Sequence, residues 1–252
     1  MTFNLRFEND FDGENSWSHR RDFLVRTILK YGPQVVGTQE GKPSMFAFLN
    51  EHLHGYRMAA EWRHWDENCQ YPTLYYREED LTPLEGNEFW LSNTPKVHMS
   101  KSWDSAFPRM ISCVLLETKQ SKQQIWFAVT HLDHISEMAR NQGAKMISTW
   151  AVDKVDPIVL MGDFNDVPGS EVHRILTGAR GPLVDTWLAL ERKEGEWSYT
   201  QHGFTGVPDI GRIDWILVSP HFAVLDAAIV RDQVAGRYPS DHFPYWADLE
   251  RE

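Results

Sequence analysis

The stretch Ile158-Val159-Leu160-Met161-Gly162-Asp163-Phe164-Asn165 constrains this chain more than any other. Its apolar opening reads as a strand buried on both faces of an α/β sheet, and its close sets a carboxylate and a carboxamide two residues apart. Open α/β sheets bind ligands at the carboxyl ends of their strands. The run therefore predicts a buried strand whose end is chemical. Gly162 permits close backbone approach, while Asp163 and Asn165 supply a charged acceptor and a donor-acceptor pair. The aspartate can orient a water or hold a cation, and the amide can hold an oxyanion. A strand followed by an ordinary Asp/Asn turn has the same sequence pattern, so Met161-Gly162-Asp163-Phe164-Asn165 alone leaves the two readings about even.

Other strand ends shift the balance. Val35-Val36-Gly37-Thr38-Gln39-Glu40 is a short apolar run closing in a carboxylate, and Phe127-Ala128-Val129-Thr130-His131 is one closing in an imidazole. In Arg212-Ile213-Asp214-Trp215-Ile216-Leu217-Val218, Asp214 sits within an otherwise apolar strand. An unpartnered buried carboxylate costs several kcal/mol, so Asp214 needs a base. Ser240-Asp241-His242 supplies one in His242, and Arg212 is the rival partner. Near the start, Thr2-Phe3-Asn4-Leu5-Arg6 reads as a first strand carrying Asn4.

In this order, Asn4, Gln39-Glu40, Thr130-His131-Leu132, Gly162-Asp163-Phe164-Asn165, Arg212-Ile213-Asp214 and Ser240-Asp241-His242 resemble the motif set of the endonuclease/exonuclease/phosphatase superfamily. Any one motif is weak, but six in order over residues 2 to 242 are specific. Asp12-Gly13-Glu14-Asn15-Ser16-Trp17, Ser102-Trp103-Asp104, Pro108-Arg109, His131-Leu132-Asp133-His134 and His202-Gly203-Phe204-Thr205-Gly206 are similar to a less characterised, largely microbial branch. The resemblance implies the DNase I-like fold, an α/β four-layer α/β/β/α sandwich of two packed mixed β-sheets flanked by helices, with the site at the sheet edges. It also implies a phosphoric ester hydrolase using Mg²⁺, with Mn²⁺ or Ca²⁺ as substitutes. Glu40 and Asp241 would be direct or water-mediated ligands with Asn4 beside them. Asp163 would orient or deprotonate the attacking water, and Asn165 would bind a phosphoryl oxygen. His131 and His242 would serve the phosphate and proton transfer, with Asp214 bonded to His242.

Elementary chemistry agrees with that assignment. Hydrolysis of a phosphate ester needs charge neutralisation, a nucleophilic water and protonation of the leaving oxygen. Mg²⁺ prefers oxygen ligands and is held by one or two carboxylates plus substrate phosphate. Plainer readings exist for each residue. Glu40 could be an acid at the N-terminus of a helix starting near Pro43, Asn4 could bond its own backbone, and His131 could be structural. All would have to be accidental separately.

Four further residues are candidate substrate contacts. Asp133 and His134 could shape the pocket or add a ligand, and His134 could instead cap a helix beginning near Glu137. Arg109 is a candidate phosphate clamp because guanidinium matches phosphate geometry. His202 could reach the site from a Gly/Thr-rich turn. Trp17, Trp62, Trp65, Trp90 and Trp103 could wall a pocket for a sugar, base or lipid group, although packing under loops is commoner for tryptophan. Where relatives of the branch carry a glutamate before a strand, this chain reads Cys69-Gln70-Tyr71, which alters any contact that glutamate makes.

With 252 residues and no linker, repeat or low-complexity segment, residues 1–252 are expected to form a single domain. Helical spacing of apolar residues predicts helices over 21–31 and 136–150. No apolar run is long enough to cross a membrane and no leader is visible, which leans toward a cytoplasmic location. Relatives carry several residues before their first strand, so a segment upstream of Met1, and a cleaved leader with it, stays open. Cys69 and Cys113 give neither a disulfide framework nor a zinc site.

With 36 acids against 25 bases the net charge is -11. Nucleic-acid binding relies on Lys and Arg to neutralise phosphates, and no basic run is present. The balance favours a small phosphate ester over nucleic acid, with a nuclease of the same fold as the strongest alternative. A non-catalytic binding module would be expected to have lost one of the core residues, and none is lost. The His-x-His-x-Asp-His element of metallo-β-lactamase-type hydrolases and the Gly-Asn-His element of calcineurin-type ones are both missing.

Overall fold

A computed structural model describes residues 1–251. Along the chain lie β1 (Thr2–Asn4), α1 (Trp17–Tyr31), β2 (Val35–Gly41), α2 (Pro43–His52), β3 (Tyr56–Ala59), β4 (Tyr71–Arg77), β5 (Leu81–Trp90), β6 (Met110–Thr118), β7 (Gln124–His131) and α3 (Glu137–Val152). There follow β8 (Ile158–Asp163), α4 (Glu171–Thr177), β9 (Val184–Asp185), α5 (Thr186–Ala189), β10 (Asp214–Val218), β11 (Phe222–Ile229) and β12 (Tyr245–Arg251). One six-stranded sheet runs β11-β12-β1-β2-β4-β3 and the other β5-β6-β7-β8-β10-β9. Both are mixed, since β1 lies parallel to β2 and β7 parallel to β8 while the remaining pairs are antiparallel.

Alternation along the strands builds four layers. In β8, Ile158 and Leu160 point outward to a core shared with Ala144, Ile147 and Trp150 of α3. Val159 and Met161 point inward, where they meet Val35, Leu74 and Tyr245 of the facing sheet. On the far side, Phe3 and Val36 pack against Leu24, Ile28, Phe46 and Leu49 of α1 and α2. Strands covered on both faces must be apolar at successive positions, which is why this run has no polar alternation. The arrangement is the expected α/β/β/α sandwich.

Element ends differ from the sequence reading in instructive ways. Helix α1 starts at Trp17, four residues earlier than its apolar spacing suggested, because Trp17 and Arg20 extend the buried stripe of Leu24 and Ile28. Helix α3 spans Glu137–Val152 and is capped by Ser136, whose Oγ accepts from Ala139 N. His134 does not cap it. Strand β10 begins at Asp214, so that carboxylate stands at the strand's end and not inside it. Cys69 and Cys113 are buried free thiols. Trp17 (3% exposed) and Trp90 (6% exposed) are packing residues, as is Trp62, whose ring covers Gly86. No helix among the described residues is long and apolar enough to cross a membrane.

Two glycines set how closely the backbone and the sheets approach. A Cβ on Gly37 would lie 2.6 Å from Met161 Cγ and Sδ, so the bare backbone of β2 is what lets the inner faces meet there. A Cβ on Gly162 would lie 2.2 Å from the carbonyl oxygen of Thr130, its direct partner in the β7–β8 ladder. Backbone cannot yield as a flexible side chain does. Gly162→Ala is expected to cost about 2–3 kcal/mol, read as a lower urea midpoint. Gly195→Ala, whose added methyl meets nothing within 4 Å, should leave the midpoint unchanged.

Candidate active site

Because β1 and β2 are parallel, and β7 and β8 are parallel, their carboxyl ends gather at one edge of the sandwich. Asn4 pairs with Gln39 across the first sheet, and His131 with Asp163 across the second. Strand β10 is antiparallel to β8, so its first residue, Asp214, lies opposite Asp163. Phe164 fixes the direction of the chain beyond β8. It is fully buried, donates its N–H to Ile213 O and stacks on Trp215 with centroids 4.4 Å apart. With the phenyl ring anchored on one side, Asp163 and Asn165 are presented on the other.

Glu40 reaches the edge through an irregularity. The β2–β4 register shifts between Thr38 and Gly41, and Glu40 adopts a left-handed φ of 64°. Bulges of this kind re-aim a side chain. Asn165 (φ 49°) and Arg6 (φ 52°) share that conformation; asparagine tolerates it, whereas glutamate and arginine are held at a cost of about 1–3 kcal/mol each. Three left-handed non-glycine residues therefore surround one edge.

One amide joins the two sheets. Asn4 Nδ2 donates to Glu40 Oε1 at 3.1 Å and to Asp163 Oδ2 at 3.0 Å, while its Oδ1 accepts from Arg6 N at 2.9 Å. Asn4 thus bonds nearby backbone, as its plainer reading held, and also links carboxylates of opposite sheets. In this arrangement its amide nitrogen faces the two carboxylates and positions them relative to each other. Glu40 Oε2 accepts from Phe7 N at 2.9 Å; Glu40 does not cap α2, whose N-cap is Lys42.

Across the edge, His242 Nδ1 and Asp214 Oδ2 are 2.8 Å apart. Arg212 is not the partner of Asp214, since its guanidinium bonds Asp185 and Glu194. Burial works against the charge of His242, but Asp214 outweighs it through attraction and the hydrogen bond, helped by Asp163 and Asp241, and the imidazole pKa rises to about 10. Asp163 is pushed above the usual carboxylate range by burial and by the charge of Asp214. His131 moves the other way: burial, then the charges of Arg109, His242 and His134, hold it well below its ordinary value, so it is neutral. Its Nε2 lies 3.0 Å from Asn165 Nδ2 and 3.4 Å from Asp163 Oδ2. Asn165 also donates to Leu132 O at 3.0 Å, which occupies both of its amide protons within the protein.

The donor set fits a hard divalent cation. Glu40, Asp163, Asp214 and Asp241 share this edge, while the nearest arginines are already engaged. Arg6 grips Asp12 through Nε and Nη2 at 2.9 and 2.8 Å while its Nη1 also lies 3.7 Å from Asp241 Oδ2, and Arg109 Nε lies 3.7 Å from Asp133 Oδ2. Negative charge is left in excess, and every available ligand atom on the acids is oxygen, as Mg²⁺ prefers. Asp163, Asp214 and His242 also place one ligand atom each within 4.8 Å of one another. That clustering follows from internal pairing, since His242 Nδ1 is spent on Asp214. Glu40 and Asp241 stand apart from that pair, Glu40 bonded to Asn4 and Phe7 N and Asp241 3.7 Å from Arg6 Nη1.

The four expected substrate contacts separate. Arg109 is buried, its Nε has no hydrogen-bond partner, and its Nη2 lies 3.3 Å from His134 Nδ1. His134 is exposed and stacks on Phe107, 5.7 Å between centroids. Arg109 and His134 both stand close enough to His131 for their charges to lower its pKa. Asp133 instead serves the scaffold. Its Oδ1 accepts from Ile135 N and Ser136 N, and its Oδ2 from Ser105 Oγ and Ala106 N. His202 does not overhang the site. It is 2% exposed, stacks on Phe243 at 3.9 Å, and its backbone N–H donates to Asp241 O, so it braces the Asp241-His242 segment from behind.

Sequence reasoning missed Arg20, Arg6 and Ser240 as site-building residues. Buried Arg20 donates to the carbonyls of Asn15, Leu5, Arg6 and Pro239, tying the end of β1 to the loop before Asp241. Its signal was a lone arginine on the apolar stripe of α1. Ser240 Oγ donates to Asn4 O at 2.6 Å and closes the same junction. Arg20→Met leaves several buried carbonyls without donors, each costing about 1–3 kcal/mol. Urea unfolding should show a loss of at least about 3 kcal/mol, whereas an unchanged midpoint would mean that water replaces the guanidinium.

Comparison with known proteins places this geometry. A family model described as the Endonuclease/Exonuclease/phosphatase family matches residues 1–242. An endonuclease/exonuclease/phosphatase from Bacteroides vulgatus is 29% identical with a TM-score of 0.90, covering 100% of this chain and 97% of its own. A mannosyl-6-phosphatase from Bacteroides thetaiotaomicron is 27% identical with a TM-score of 0.87, covering 99% and 98%. TDP2 from D. rerio, solved with a single-strand DNA product, is 16% identical with a TM-score of 0.78, covering 99% and 97%, a likeness of fold alone. No match was found among curated proteins. The chain belongs to the Endonuclease/Exonuclease/phosphatase family, whose members are hydrolases acting on phosphoester bonds.

Proposed function

We propose that this protein is a Mg²⁺-dependent phosphoesterase of small molecules, with sugar phosphate monoesters as the first substrate class to test. The observation that carries the reading is the Asp214–His242 pair beside Asp163, on the same edge as Glu40 and Asp241. The substrate class draws support from the mannosyl-6-phosphatase likeness, at 27% identity over nearly the full length of both chains. A net charge of -11 points the same way, because phosphate-rich polymers are repelled by it.

In this reading Glu40 and Asp241 hold the cation, and Asn4 fixes Glu40 relative to Asp163. When bound, the cation neutralises phosphate charge and stabilises the leaving oxygen as a Lewis acid. Asp163, with its raised pKa, would take a proton from the attacking water as the new P–O bond forms and the ester P–O bond breaks, and the leaving oxygen would take its proton from a solvent water. A base poised near neutral pH is the efficient kind. His242, charged and held by Asp214, faces the phosphoryl oxygens. Its Nε2 lies 3.9 Å from Asp163 Oδ2, which brings it to the same reacting group. Asn165 exchanges its bond to His131 Nε2 for a phosphoryl oxygen as charge develops there. Arg109, whose Nε is unpartnered, clamps the phosphate.

The test is phosphate release from a panel of sugar phosphates and other small esters, with single-stranded RNA, single-stranded DNA and plasmid alongside. EDTA should abolish turnover and Mg²⁺ restore it; cleavage of nucleic acid alone would promote the nuclease alternative, and turnover indifferent to EDTA would overturn the metal assignment. Glu40→Gln should raise the Mg²⁺ concentration for half-maximal rate by about tenfold or more. Asp214→Asn keeps the hydrogen bond but removes the charge that sustains the imidazolium. It should lower kcat on the order of 10²–10⁴-fold with little change in KM.

A further inference from the structure

Beside the groups that handle phosphate and protons stands a cluster that the reaction does not use. Strand β6 starts next to the end of β7, since Ile111 pairs with Thr130 and Thr130 Oγ1 donates to Met110 O at 3.0 Å. The segment entering β6, Phe107-Pro108-Arg109, therefore runs past His131, the last residue of β7. It meets His134 there. Arg109 Nη2 lies 3.3 Å from His134 Nδ1, the His134 and Phe107 rings are 19° from parallel with centroids 5.7 Å apart, and the guanidinium carbon of Arg109 stands 5.8 Å from the phenyl centroid. Arg109 is buried while His134 and Phe107 are exposed, so the cluster is charged at its inner end and apolar at its outer end.

The cluster is held still. Asp133 is 2% exposed, and its oxygens accept from the N–H groups of Ala106 and Phe107 on one side and of Ile135 and Ser136 on the other. One buried carboxylate thereby locks together the two loops that carry Phe107 and His134. A phenyl ring that is 54% exposed gains little from its own burial, so packing of that ring does not account for the fixing of its loop. A rigid, exposed aromatic beside a polar site does lower the ordering cost of binding a ligand. The imidazole adds a direction. Arginine has no acceptor, so His134 Nδ1 accepts from Arg109 and the ring proton sits on Nε2, a donor turned away from the guanidinium.

We propose that Phe107 and His134 form the platform for the alcohol part of the substrate and that this part is a pyranose ring, an inference that rests on the sugar phosphate reading of the site. A pyranose presents an apolar face of C–H bonds and a rim of hydroxyls. Its C–H face lies on the phenyl ring, a hydroxyl oxygen accepts from His134 Nε2–H, and Arg109 holds the phosphate that the same sugar carries. Phosphate and ring are joined through the ester oxygen, which suits a guanidinium and a phenyl ring that lie side by side. These contacts are the same in the bound substrate and in the transition state, so they act on KM and not on kcat. Phe107 and His134 are specificity residues with no part in proton transfer, and Asp133 positions them.

The test reads binding and turnover separately. For binding, the non-hydrolysable phosphonate analogue of mannose 6-phosphate is added with Mg²⁺, and saturation transfer from the aromatic protons of the protein to the sugar C–H protons is followed by NMR. Phe107→Ala is expected to weaken the analogue on the order of 5- to 10-fold and to abolish transfer to its ring C–H protons, while Phe107→Trp restores both. For turnover, Phe107→Ala is expected to raise KM for mannose 6-phosphate by a similar factor and so to lower the preference for it over glycerol 3-phosphate, which has no ring. Analogue binding that is absent in the wild type, or unaffected by Phe107→Ala, overturns the platform, as does an equal loss for the two esters, which marks a structural effect. Phe107-dependent binding of adenosine monophosphate tighter than that of the analogue overturns the choice of a sugar. Sugar phosphate turnover indifferent to Phe107 overturns the platform alone, whereas Phe107-dependent analogue binding without turnover overturns the hydrolase reading and leaves the platform in place.

Discussion

The amide of Asn4 is the contact on which the candidate site depends. It donates to a carboxylate of each sheet, Glu40 in the first and Asp163 in the second. Two packed sheets are otherwise free to slide by fractions of an ångström at their edges, and catalysis is sensitive to displacements of that size. The amide can span them only because the sheets approach closely, which Gly37 allows by leaving room for Met161. Ser240 and Arg20 then bind the same strand end to the loop that carries Asp241 and His242. The candidate edge is thus a junction between two sheets held by polar contacts, resting on an apolar core that fixes their distance.

Charge divides that edge into two parts. On one side, Glu40 and Asp241 stand near Arg6, which pairs with Asp12 and lies 3.7 Å from Asp241 Oδ2. On the other, Asp163, Asp214 and His242 sit close enough to perturb one another, and burial makes each charge dependent on its neighbours. Perturbed groups of this sort mark functional sites more often than structural ones. The Arg212–Asp185–His173 network shows the contrast, because its acid is held below the usual range, against burial, by hydrogen bonds from His173 and Arg212. It lies within the core and serves packing.

What the sequence made legible was the set of strand ends. An apolar run closing in a polar residue carries both its burial and its chemistry in consecutive letters, which is why Asp163, His131 and Glu40 could be named in advance. Asp214 and His242 were legible through a physical demand, since a buried acid needs a base, though only the structure separates His242 from Arg212. The bulge at Glu40 has no sequence signature, and neither does the bridging role of Asn4, because both depend on which strands become neighbours. Asp133 and His202 were misplaced for the same reason. A polar residue beside a motif resembles a ligand until its oxygens and ring are seen to be engaged elsewhere. Arg20 was the one hidden residue with a readable mark, a charge on an apolar helix face.

The central claim is that Glu40 and Asp241 hold the cation while Asp163, Asp214 and His242 handle protons and phosphate. A crystal structure with Mn²⁺ and inorganic phosphate, read by anomalous scattering, tests it most directly. The account predicts a peak between Glu40 and Asp241 with the Asp214–His242 hydrogen bond intact. A peak within the Asp163, Asp214 and His242 cluster, with that bond broken, would contradict it and make those three residues the ligands.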